Sequence, residues 1–324
     1  MDSKLFEIQS LFYQGAYKGC IDLAISSTSA SRSSDPATIS ALLYAARSHL
    51  AASPSDPAAA LALLKSVNSS EPHVEAVTAL ARFIHARSQD NSDAMSKEIV
   101  NLTELLDHAV VGEDKGQVIR CAAGTALYLD GDAEEALGTL GIGNGTSKEI
   151  ECVALGVHIL ISINRLDLAE KEYLAARAWA DDALLIQLIE AWIGLAKGGR
   201  STQQAFYVYD ELAQNPSAAG SLNSVASLIG KATALAANGD IDGANKQLDD
   251  ALKLDANNAE ALANKAALAS HGVLSLTKPY PAQAYLQQLR TANAAHPLLT
   301  EYASLEKSFD EHASQFSLGA TAEA

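Results

Sequence analysis

A three-member apolar or small-residue stripe, spaced four and then three positions apart, recurs along the chain. It reads Cys20/Ala24/Ser27, Ala60/Leu64/Val67, Met95/Ile99/Leu102, Ala136/Leu140/Gly143, Ala169/Tyr173/Ala176, Ala205/Tyr209/Leu212, Ala244/Leu248/Ala251 and Ala282/Leu286/Leu289. Steps of four and three keep all three members on one face of an α-helix. Successive stripes begin 33 to 41 residues apart, a period that predicts stacked helical hairpins. A turn residue stands five positions ahead of several stripes: Gly15, Gly131, Asn164 and Gly239. A fixed offset of this kind marks a left-handed backbone position between two helices.

The stretch Ala191–Ala213 shows one unit whole. Ala191, Trp192, Leu195 and Ala196 share a face, Gly198-Gly199 ends that helix, and Ala205, Tyr209 and Leu212 begin a second stripe. Such a hairpin leaves one side apolar, so its neighbours must cover it. The prediction is an all-α fold: an α-solenoid of about eight stacked helical hairpins in a curved, irregular array over residues 1–316, followed by a frayed tail at 317–324. Ser26–Asp35, SSTSASRSSD, reads as a flexible loop, Leu140–Ser147 as a second loop, and Gly272–Pro281 as a stretched connection.

The units resemble the tetratricopeptide repeat. Val225–Asn258 is the best copy, with Ala244, Leu248 and Ala251 in register, and it departs from the pattern at Ala256, where the family usually has proline. In that repeat, one face of each first helix lines the concave surface. Mapped unit by unit, the face here takes in Phe12, Leu42, Leu80, Ile84, Val118, Tyr128, Ile161 and Ile229. It is mostly apolar, and leaving it wet would cost roughly 25 cal/mol per Å². Two readings follow: a partner buries these residues permanently, or they pack against neighbouring repeats.

Composition narrows the function. Apolar residues make up 48%, enough to fold, and the net charge is −16. An acidic chain is a poor ligand for nucleic acid or an anionic lipid surface. The excess acid serves solubility or a basic partner. Cys20, Cys121 and Cys152 are odd in number and scattered, as in a reduced, intracellular protein. The start, MDSKLFEIQS, does not read as a signal peptide, and no window offers a membrane span.

No chemistry-bearing set stands out. GIGNGTSK at Gly141–Lys148 has the wrong order for a phosphate loop and reads as an inter-repeat linker. The DGDAEE and DIDG turns lack the twelve-residue pattern of a calcium loop and read as helix N-caps. The histidines are dispersed; His158, in a first helix, is a candidate to pack inside the ring. No catalytic residue, metal or cofactor is implied.

Four blocks carry a second resemblance: Leu5–Ile21, Asn164–Tyr173, Ala191–Ala213 and His296–Phe316. Phe12-Tyr13 with Gly15 and Tyr17, and Trp192 with Gly198-Gly199, are its most specific pieces. Together they resemble the epsilon-subunit family of coatomer. The resemblance implies a non-enzymatic part of the COPI vesicle coat that grips and stabilises the C-terminal domain of alpha-coatomer. It also implies work in Golgi-to-endoplasmic-reticulum retrograde and intra-Golgi transport. Membrane contact would be indirect, through other coat subunits. Partner-binding candidates are Phe12, Tyr13, Tyr17, Leu42, Leu80, Ile84, Tyr128, Ile161, Trp192 and Ile229, with the aromatics first because aromatics dominate interfaces. The rival reading is a peptide-clamping co-chaperone or adaptor, which would need a basic, Asn-rich groove.

Overall fold

The computed structural model describes residues 3–28, 35–67, 69–215, 221–271 and 281–316. The tail expected to fray at 317–324, most of the loop expected at Ser26–Asp35 and nearly all of the connection expected at 272–281 lie outside the described residues. The described residues form α-helices, short 3₁₀ turns and loops, with no strand among them.

The helices pair in chain order. The first four hairpins are α1 (Ser3–Tyr13) with α2 (Tyr17–Thr28), α3 (Pro36–Ala51) with α4 (Pro57–Ser66), α5 (Pro72–Ser88) with α6 (Ser92–Leu105), and α7 (Asp114–Asp130) with α8 (Ala133–Thr139). The next four are α9 (Ile150–Ser162) with α10 (Leu166–Ala180), α11 (Leu184–Lys197) with α12 (Ser201–Gln214), α13 (Val225–Ala237) with α14 (Ile241–Leu254), and α15 (Ala259–His271) with α16 (Pro281–Ala292). α17 (Pro297–Ala313) ends the array.

Each stripe opens on the second helix of its pair. Cys20, Ala24, Ala60, Ala136, Ala169, Ala205, Ala244 and Leu248 are fully buried there. In the fourth unit α8 stops at Thr139, so Leu140 is buried just past the helix and Gly143 falls in the linker. The small members let the second helix approach the first closely, and the larger ones fill the gap to the next unit. The first helices stack in series, α3 on α5, α5 on α7, α7 on α9, α9 on α11 and α11 on α13.

Local chemistry sets the boundaries. Proline stands in the first turn of α3, α4, α5 and α17, where its missing N–H costs nothing. Asp56, Asn91, Asp132 and Asp240 cap α4, α6, α8 and α14 by accepting a backbone N–H three residues on. The four turn residues Gly15, Gly131, Asn164 and Gly239 all have positive φ, from 59° to 105°. α2 runs to Thr28, three residues into the stretch read as loop. Ser27 and Thr28 donate their hydroxyls to the carbonyl of Ala24 at 3.0 and 2.8 Å, which holds the last turn.

The glycine-rich linker is tied down by the chain's own carboxylate. Glu172 Oε1 on α10 accepts the N–H groups of Gly143 and Gly145 at 2.9 and 2.8 Å. Its backbone donors therefore serve the junction between the fourth and fifth hairpins.

The array does not stay open. α1 packs against α11 as well as α2 and α3, and α2 meets the short 3₁₀ turn Leu222–Ser224 ahead of α13. Asn293 Nδ2, just past α16, donates to Ser53 Oγ at 3.1 Å. The first hairpin thus sits within the curve of the others.

Candidate functional site

Where the curve closes, a cavity of about 460 Å³ remains. Phe12, Tyr13, Tyr17, Leu80, Ile84 and Trp192 line it, six of the ten partner-binding candidates. They come from α1, α2, α5 and α11. His158 on α9 stands open to the cavity, its ring edge-on to Tyr128 at 6.3 Å and to Trp192 at 6.5 Å between centroids. Protein around the ring desolvates it and lowers its pKa.

One edge of the cavity is polar. The buried carboxylate of Glu151 on α9 accepts hydrogen bonds from Tyr13 Oη at 2.6 Å, Tyr44 Oη at 2.8 Å and Arg47 Nη2 at 2.6 Å. Gln9 Nε2 donates to both phenols, at 2.6 and 2.9 Å. The Arg47 guanidinium lies over the Phe12 ring, 4.6 Å from its centroid. Phe12 and Tyr44 are tilted neighbours at 5.4 Å. This network joins the first, second and fifth hairpins through side chains more than a hundred residues apart.

The electrostatics follow from that geometry. Burial pushes the Glu151 carboxyl toward its neutral form. The Arg47 charge and three donated hydrogen bonds outweigh it, holding the carboxyl below the usual carboxylate range. Burial, then the Glu151 charge, raises the Tyr13 and Tyr44 phenols, which stay protonated donors. Arg47 is the only lysine or arginine among the described residues lining the cavity, and its charge is committed to Glu151.

The other four candidates fall elsewhere. Leu42 is buried in the core between α3 and α5, with Val118 packed against the same cluster. Ile161 packs on the α9–α11 core, and Ile229 on the α13–α14 core. Tyr128 does not line the cavity; it meets the His158 ring edge-on and donates its hydroxyl to Ser162 Oγ at 3.0 Å. The two readings of the apolar face thus divide by position: some residues face the cavity and others fill joints between repeats.

Sequence reasoning missed Glu151, Arg47, Tyr44 and Gln9. Glu151 had a signal, since it is the one carboxylate in the mostly apolar run of α9, IECVALGVHILIS. A second buried pair was missed likewise. Arg120 Nε donates to Glu149 Oε2 at 2.6 Å, and the guanidinium also reaches the carbonyls of Ala109 and Val110. Glu149 accepts the N–H of Gly112 at 2.9 Å, so the pair pins the loop ahead of α7 onto α9. The structure places no group of three or more His, Cys, Asp or Glu suited to a metal among the described residues.

Helical hairpins stacked in series define a class, the α-helical repeat scaffolds. A solved structure supports the fold. A chain in the crystal structure of the APC/C hetero-tetramer Cut9-Hcn1 matches with a TM-score of 0.55 at 13% identity, over 92% of this chain. The match takes in 54% of that chain, about half its length, and shows the fold alone.

Sequence comparison is more specific. A family model described as coatomer epsilon subunit matches residues 1–317, and the chain belongs to that family. Coatomer subunit epsilon-2 of Oryza sativa subsp. indica is 32% identical over 309 residues, 94% of this chain and 95% of that protein. Coatomer subunit epsilon-1 of Arabidopsis thaliana is 31% identical over 244 residues, 75% and 76% of the two chains. The Caenorhabditis elegans coatomer subunit epsilon is 24% identical over 97% and 99%. The chain is therefore a coatomer subunit, a structural component of a vesicle coat. No helix among the described residues is long and apolar enough to cross a membrane.

Proposed function

We propose that this coat subunit is a non-enzymatic clamp, and that its cavity receives an apolar element of the alpha-coatomer C-terminal domain. The carrying observation is the cavity lined by Phe12, Tyr13, Tyr17, Leu80, Ile84 and Trp192, apolar on most sides and open enough for a few inserted side chains. Aromatic side chains around a desolvated space are what interface hot spots use. The Glu151–Arg47 network holds the first hairpin in place, so the cavity is pre-shaped rather than assembled on binding.

In this reading the subunit stabilises alpha-coatomer in the cytoplasmic coat at the Golgi. It serves retrograde transport to the endoplasmic reticulum and transport within the Golgi. Its membrane contact is indirect, through the rest of coatomer. The co-chaperone reading is disfavoured because the cavity offers one cation, already paired. Co-expression with the alpha C-terminal domain tests the proposal. The two should co-purify, and Trp192→Ala should weaken the complex at least tenfold while far-UV circular dichroism of the isolated chain is kept. Wild-type affinity in Trp192→Ala and in Phe12→Ala, with both folded, would refute the cavity as the seat of binding.

A further inference from the structure

The last helix is built unlike the others. α17 has no buried residue along its 17 positions. Only its start is anchored: Leu298 and Leu299 pack on the α15–α16 core with Leu262 and Leu289. His296 caps it by accepting the N–H of Leu298 and faces Glu260 Oε1 at 3.2 Å. Beyond that point Tyr302, Leu305 and Phe309 are exposed by 46%, 66% and 70%, and Phe316, just past the helix, by 79%.

These side chains are not scattered. Leu298, Tyr302, Leu305, Phe309, His312 and Phe316 follow steps of four and three, which is the seam of a two-helix coiled coil. Leu298 begins the stripe inside the α15–α16 core, and the exposed part from Tyr302 to Phe309 is roughly 10 Å long at 1.5 Å per residue. At 100° per residue, Glu301 falls on one border of the seam and Glu306 on the other. The one lysine of the helix, Lys307, lies on the opposite face and pairs with Glu311 at 3.8 Å. The seam is therefore apolar with carboxylates on both borders.

That charge pattern selects the occupant. A second copy of α17 would set carboxylates against carboxylates, and an anionic bilayer would meet the same repulsion. The eight residues that follow, 317–324, hold one large apolar residue, Leu318, and supply no matching stripe. We propose that α17 is half of an intermolecular helix pair, and that it docks an amphipathic helix of another protein with leucine-type residues on its seam and lysine or arginine at the flanks. This surface lies on a different element from the cavity, and it stands whether or not alpha-coatomer occupies the latter.

The test uses the full chain and two synthetic helical peptides with leucine seams, one flanked by lysine and one by glutamate. Fluorescence anisotropy should show the lysine peptide binding at least tenfold tighter, with affinity falling as salt rises. Leu305→Glu and Phe309→Glu should each weaken it at least tenfold, with circular dichroism unchanged because both side chains are exposed. Lys307→Ala, on the far face, should leave it alone. Equal or absent binding of the two peptides would overturn the proposal. So would a dimer in sedimentation that Leu305→Glu abolishes, or co-flotation with phosphatidylserine vesicles that Phe309→Glu abolishes.

Discussion

Glu151→Gln is the substitution that reaches furthest into the molecule. The change keeps the shape and removes the charge. Arg47 then lies in the fold with a side chain 15% exposed and no counter-charge, and Glu151 itself is 4% exposed. Breaking a buried ion pair from one side costs about 3–5 kcal/mol. Two phenols also lose their ionised acceptor, though the amide oxygen retains one of those bonds, so the lower end, about 3 kcal/mol, is the expected loss. Replacing both partners, as Arg47→Met with Glu151→Met, removes the desolvation cost along with the attraction. That pair should recover at least about half of the loss, so the two Met substitutions should be clearly non-additive. Urea unfolding followed by circular dichroism measures the totals, and hydrogen exchange locates them. Because Tyr13 is held by Glu151, amides of α1 should exchange at least tenfold faster in Glu151→Gln, while those of α14 stay protected. The reasoning fails if Glu151→Gln lies within about 1 kcal/mol of wild type with α1 exchange unchanged. It fails equally if the two Met substitutions are additive. The pH dependence has a definite sign. The folded carboxyl titrates below its ordinary 4.5, so the unfolded state binds the proton first. The stabilisation is whole above pH 4.5 and is lost as pH falls through the folded value.

Three further outcomes follow from the packing. Gly194→Ala would set a Cβ 2.7 Å from the Ser201 carbonyl oxygen at the start of α12. It should cost about 1–3 kcal/mol, whereas Gly138→Ala, with nothing within 4 Å, should be neutral or gain up to about 1 kcal/mol; equal melting temperatures would contradict this. Leu248→Ala, at a position 0% exposed between α13 and α14, should cost about 2–5 kcal/mol in urea unfolding, and a loss under 1 kcal/mol would disprove the core assignment. His73 is buried, and burial lowers its pKa against the smaller opposing pull of Glu71, with Lys115 nearby adding to the decrease. The unfolded state therefore takes up the proton first, and stability should decline as pH drops below about 6.5; His73→Leu should flatten that slope, and an unchanged slope would remove His73 as its source.

Much of the fold was legible because one pattern repeats. A stripe at four and three, a turn residue five positions ahead and an alanine-rich composition all describe one hairpin, and eight copies corroborate one another. The cavity was legible only in part. A first helix touches its own second helix and the first helices on both sides, so an apolar residue there serves either cavity or joint. Leu80 and Ile84 reach the cavity while also packing in the core that holds Leu42, and Leu42, Ile161 and Ile229 fill joints alone, with nothing local to separate them. The convergence of the polar network on Glu151 was not legible from spacing. Gln9 with Tyr13 and Tyr44 with Arg47 are neighbours on α1 and α3, but they reach Glu151 only because the array curves back on itself, and curvature is a sum over all the joints.

The bond from Tyr13 to Glu151 spans 138 residues of sequence, and this has a consequence for biosynthesis. A ribosome adds roughly 5–20 residues per second, so α1 leaves the exit tunnel roughly 7–28 seconds before its acceptor does. For that interval the α9-facing side of the first hairpin is wet, a window in which nascent-chain chaperones have something to hold.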